Sequence, residues 1–189
     1  SVVITGESIP ISHLTPRNLK SALLSIVLTF VATSLLISIA FRNSRLGIVA
    51  FATTLLPVVC GFGLWGLLND SVGLSTTVIV AVCMGVVIDD AIHIIYRFVE
   101  GQQRLALDAR EAAAYSIHRV GTSIVTSSFV LSFGFVVLSF SDFALNQMFG
   151  VCSALIVLSA LLIDLLILPK MLIWAGSTKT SLAVSPFNE

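Results

Sequence analysis

The sequence predicts an all-α membrane protein, a polytopic bundle of five transmembrane helices, and three observations carry that prediction. Hydrophobic residues make up 57% of the 189-residue chain and charged residues 11%, with a mean hydropathy of +1.05, whereas soluble domains carry about 25% charged residues. Five apolar stretches, at about 21–41, 47–68, 73–98, 122–140 and 147–174, each reach the roughly 20 residues that cross a hydrocarbon core as a helix. Basic residues then gather at alternate connections, as expected of a chain that crosses a membrane back and forth. Helices follow because a backbone in lipid must satisfy its hydrogen bonds internally.

In chain order, residues 1–18 read as an extracytoplasmic tail, 19–175 as the five-span module and 176–189 as a cytoplasmic tail. The first span ends in Phe41-Arg42-Asn43-Ser44-Arg45, which has room only for a tight reversal between antiparallel neighbours. The second holds Pro57 followed by Gly61, Gly63 and Gly66, so a kink and close approach by a neighbour are expected, with packing alone a sufficient reason for these residues. After the third span the connection 99–121 is long enough for structure of its own. Asp108 and Glu111 have capping-box spacing. Beyond them Ala109, Ala112, Ala113, Ser116, Ile117 and Val120 form a mild face opposite Glu111, Tyr115 and His118, predicting a short amphipathic helix over about 109–120 at the inner surface. A solvated connector without function fits the same pattern. The fourth span opens with hydroxyls, and the fifth carries Asp164 ahead of Pro169.

Orientation comes from the ten basic residues. Arg42, Arg45, Arg97, Arg104, Arg110, Arg119, Lys170 and Lys179 fall on one side, and only Arg17 and Lys20 on the other. The N-terminus is therefore expected outside and the C-terminus in the cytoplasm of a cell membrane, the bacterial inner membrane by expectation. A net charge of zero gives no sign of a nucleic-acid partner. Cys60, Cys83 and Cys152 lie inside spans without metal-ligand spacing and read as packing residues; no metal or cofactor is implied. The first apolar run is too long for a secretory signal. A start at Ser1 together with an odd number of spans predicts a portion of a larger protein.

The chemistry concentrates in Gly85-Val-Val-Ile-Asp-Asp-Ala-Ile-His-Ile-Ile-Tyr96. A charged side chain at bilayer depth costs about 2.5–3.5 kcal/mol on insertion scales, so the pair Asp89 and Asp90 demands a reason. On a helix Gly85, Asp89, His93 and Tyr96 share one stripe, with Asp90 turned about 100° away. Gly85 clears space for another helix to bring donors to Asp89. Thr122, Ser123, Thr126, Ser127, Ser128 and Ser132 of the fourth span lie at the matching depth, as partners or as ordinary helix glue bonded to their own backbone. Two adjacent carboxyls in low dielectric do not readily both ionise, which suits proton carriage; a neutral pair holding helices together is the structural alternative. His93 is placed to relay a proton or to hydrogen-bond at an interface, and Asp164 to join the relay or brace a helix break.

These residues resemble the GxxxD or GxxxDD signature on the proton-relay helix of resistance-nodulation-division (RND) superfamily transporters. The neighbourhood is similar too: Phe41 to Arg45, Leu56-Pro57, the run from Val120 to Ser127, and Ala160 to Pro169. The pattern is nearest to the MMPL and sterol-sensing, Patched-like branch, over about Ile4 to Trp174. The resemblance implies the last five of twelve spans of a proton-motive-force-driven exporter of lipidic or hydrophobic molecules. It implies Asp89, Asp90 and Thr126 as the proton relay, with Gly85, His93, Ser127 and Asp164 in support. The implied partners are protons, a lipidic substrate and a missing N-terminal half, with homo-oligomerisation open. Many MMPL members have Tyr where Asp90 stands. A sterol-sensing-type lipid-binding module without proton coupling is the alternative. An intramembrane aspartyl protease is a poor fit, since Ile88 occupies the second glycine of its GxGD run.

Overall fold

The computed structural model describes residues 8–68 and 75–177, and among them every regular element is a helix: α1 (Ser8–Ala40), α2 (Ser44–Leu68), α3 (Ser75–Arg104), α4 (Ala109–Leu138), α5 (Ala144–Leu166) and α6 (Leu168–Gly176). The connection 69–72 with Asp70, and Lys179, lie outside the described residues. Three helical segments are long and apolar enough to cross a membrane, Ser44–Leu64, Ala109–Leu138 and Asn146–Gly176, and the described apolar part of α1, Leu24–Ala40, is shorter. The helix α3 is 30 residues long but carries Asp89, Asp90, Arg97, Glu100 and Arg104.

The tight reversal at 41–45 is built as a Schellman motif. Asn43 N–H donates to the Ser38 carbonyl and Arg42 N–H to that of Ile39, and Arg42 takes a left-handed φ of 48°, so the last carbonyls of α1 are satisfied. Asn43 then caps α2, its Oδ1 accepting from Arg45 N–H at 3.0 Å. A Cβ on Gly47 would run into the Ser38 hydroxyl and the Ser34 carbonyl, and the Ser34 hydroxyl donates to the Gly47 carbonyl at 2.7 Å. Small residues thus let α1 and α2 touch backbone to backbone.

Two boundaries differ from the sequence expectation. The helix α1 begins at Ser8, inside the stretch read as a tail, and the amphipathic helix 109–120 is continuous with the fourth span as α4. The reason is local: Asp108 forms the capping box with Glu111, and nothing after Gly121 interrupts the ladder. Buried residues continue through the junction, Ala112, Ala113 and Ser116 before it and Gly121, Ile124, Ser128 and Ser132 after it on a face turned round the helix. The fifth span, by contrast, is divided at Ile167 into α5 and α6. Pro169 has no N–H for the Leu165 carbonyl, which is why the ladder breaks there.

Packing centres on α5, which touches α2, α3, α4 and α6, while α1 lies at the margin against α2 and α3. One apolar cluster joins Leu46, Val49, Ile94, Phe98, Ala112, Leu161, Leu168 and Leu172; a second joins Ile79, Cys83, Val87, Cys152, Ile156 and Ala160. Gly61 meets Ile156, so the expected close approach to α2 is there, but a Cβ on Gly63 or Gly66 would meet nothing among the described residues. Outward, Leu24, Leu28, Leu35, Phe129, Val130 and Phe133 are exposed. Such a belt is a liability in water and is solvated by lipid tails.

Candidate functional site

The two aspartates of α3 point into different surroundings. The Asp89 side chain is 72% exposed and His93, one turn on, 61%; His93 Nε2 lies 3.6 Å from Asp89 Oδ1, an ion pair when the imidazole is protonated. Gly85 and Tyr96 are exposed as well, so the stripe read from the helical period is a continuous open strip. Asp90 is only 9% exposed. The turn of about 100° between neighbours on a helix carries it to the packed side.

Gly85 fits the expected space, yet no described helix of this chain fills it: a Cβ there would have no atom within 4 Å. Thr126 takes the second of the two states expected for the fourth-span hydroxyls. It is exposed, and its hydroxyl donates to the Thr122 carbonyl at 2.9 Å, the back-bonded state, with Ser127 doing the same to Ile124 at 3.0 Å. The antiparallel pairing of α3 with α4, set where Gly101 packs on Ala112 and Tyr115, nevertheless brings Thr126 to the level of Asp89 by equal rise. Ser128 and Ser132 are buried with no hydrogen-bond partner among the described residues.

Asp164 is fully buried, and neither carboxyl oxygen has a hydrogen-bond partner among the described residues. It lies within electrostatic range of Asp90, which is itself in range of Asp89 and His93. The structure therefore brings Asp89, Asp90, His93 and Asp164 into one electrostatic group. Ser153, buried and beside the Cys83 thiol, has no signal in the sequence that separates it from other small packing residues. Among the described residues no cluster of three or more His, Cys, Asp or Glu is arranged to hold a metal ion.

Fold and site define a multi-pass membrane protein that carries ionisable side chains at the middle of its helix bundle. The MMPL family model matches residues 1–185. The chain belongs to the MMPL family, a family of membrane transporters, and is a membrane module of RND/MMPL type. No curated protein matches it.

Proposed function

We propose that this module couples proton movement to export of lipidic or other hydrophobic molecules, with Asp89 and Asp90 as the intramembrane relay and Thr126 in support. The observation that carries the reading is the pair of adjacent carboxylates in α3, one on an open strip beside His93 and the other turned into the bundle. An acid and an imidazole facing lipid tails are costly. We therefore place helices of an N-terminal half of the transporter over the strip of Gly85, Asp89, His93 and Tyr96, and over Thr126 of α4, with that half completing the proton path. The basic residues at the α1–α2 and α3–α4 connections and on α6 support an orientation with those ends toward the cytoplasm.

The physical logic is a population shift. Protonating a carboxyl at this depth removes a buried charge, and the helix arrangement that best accommodates the neutral form gains population. His93 holds or passes the proton one turn from Asp89, and Thr126 offers a hydroxyl once its back-bond to Thr122 is exchanged. Asp89→Asn keeps shape and much of the hydrogen bonding but does not titrate. In the full-length transporter, assayed for substrate export against an imposed proton gradient, it is expected to abolish transport with folded protein retained. Asp90→Asn is expected to impair transport less. Lipid binding that persists without any proton-dependent transport in the wild type would favour the sterol-sensing-type reading instead.

A further inference from the structure

Two stripes of side chains meet where α3 packs on α5. Along α3 run Cys83, Val87, Asp90 and Ile94, and along α5 into α6 run Cys152, Ile156, Ala160, Asp164 and Leu168, none more than 9% exposed. Toward the N-terminal end of both helices the seam is filled by Ile79, Cys83, Val87, Cys152 and Ile156. Toward the other end it is filled by Ile94, Leu161 and Leu168. Asp90 and Asp164 occupy the gap between these two apolar clusters.

Among the described residues His93 is the cationic group that acts on Asp90, and it is shared with Asp89 on the open strip; none is named as acting on Asp164. Arg45 on α2 lies over the Trp174 ring, Arg97 on α3 pairs with Glu100, and Arg119 on α4 lies over Tyr115. His118 on α4 and Lys170 on α6 are exposed. The charged group that acts on Asp164 is Asp90, and those acting on Asp90 include Asp89 and His93. An ionised carboxylate buried without a donor or a counter-charge costs several kcal/mol, and a second one at the same seam adds repulsion.

We propose that Asp90 and Asp164 form a second proton-binding site inside the bundle, a carboxyl pair at the α3–α5 seam that carries at most one negative charge. Asp164 holds its proton while Asp90 is ionised, and uptake of a second proton by Asp90 brings the pair to neutrality. This site shares Asp90 with the proposed relay and extends it inward, away from the open strip of Asp89 and His93, so charge on one is felt by the other. Asp164 sits one turn before the break at Ile167, which makes α6 the element placed to respond when the charge of the pair changes. That consequence for transport rests on the relay reading above; the protonation state does not.

Infrared difference spectroscopy of the purified full-length protein in lipid, titrated across pH, reads the C=O stretch of protonated carboxyls directly. Asp164→Asn is expected to remove one such band that the wild type retains at neutral pH. Asp90→Asn is expected to shift that band, because its neighbour no longer carries charge. A spectrum of Asp164→Asn identical to that of the wild type, or an Asp164 band unmoved by Asp90→Asn, would overturn the proposal. The Asp90→Asn arm keeps Asp164 in place and so remains decisive even if Asp164→Asn fails to fold. Failure of the relay reading registers elsewhere, as full proton-dependent export by Asp89→Asn.

Discussion

One side of α3 is filled and the other is open. Toward α5, Cys83, Val87 and Ile94 are 0–1% exposed and lock into apolar clusters; on the opposite strip Gly85, Asp89, His93 and Tyr96 touch no other described helix closely enough to be buried. Both sides carry a carboxylate, one exposed and one buried. The filled side buries Asp90 within electrostatic range of Asp164. The open side leaves Asp89 exposed beside His93, which on the proposed reading is where a proton arrives and leaves.

Glycine substitutions give the strongest way to break this comparison. Gly150 on the filled α4–α5 contact has no room, since a Cβ would meet the Phe135 carbonyl and the Ser139 backbone. Gly150→Val is expected to cost about 1–3 kcal/mol or more through forced backbone shifts, seen as lower folded yield and an earlier thermal transition in detergent. Gly85→Ala, with nothing within 4 Å, is expected to leave both unchanged. Its effect belongs to transport by the full-length protein, where a covering helix at Gly85 predicts a several-fold loss of export. Undiminished export would show that the strip is not closely covered.

A smaller effect is expected at Thr126. Thr126→Val removes the hydroxyl that now donates to Thr122 and keeps the side-chain shape, so folding should change by less than about 1 kcal/mol while transport weakens partially. Wild-type export at all pH values would remove Thr126 from the relay. Smallest in consequence for stability are single cysteines for topology. Labelling is expected to find positions 44 and 110 on the cytoplasmic side and 146 outside, and access to position 44 from outside would reverse the orientation.

Much of this was legible in the sequence because it follows from periodicity. The strip of Gly85, Asp89, His93 and Tyr96 comes directly from 3.6 residues per turn, and the capping box at Asp108 and Glu111 from residue type and spacing. The reversal at 41–45 needed only its length. What periodicity does not supply is the partner of each face. Asp164 could be placed at membrane depth but not against Asp90, since that depends on how α3 and α5 align. Sequence left Thr126 either a partner of α3 or bonded to its own helix, and the local carbonyl of Thr122 takes its hydroxyl. The amphipathic helix merged into α4 because the pattern marks a change of face, not a break in the backbone.

Export driven by an imposed proton gradient in the Asp89→Asn transporter decides whether Asp89 works by changing charge. If Asp89 does so, proton-dependent export is lost while normal amounts of folded protein remain in the membrane. Export at wild-type rate, with its dependence on the gradient intact, would contradict it.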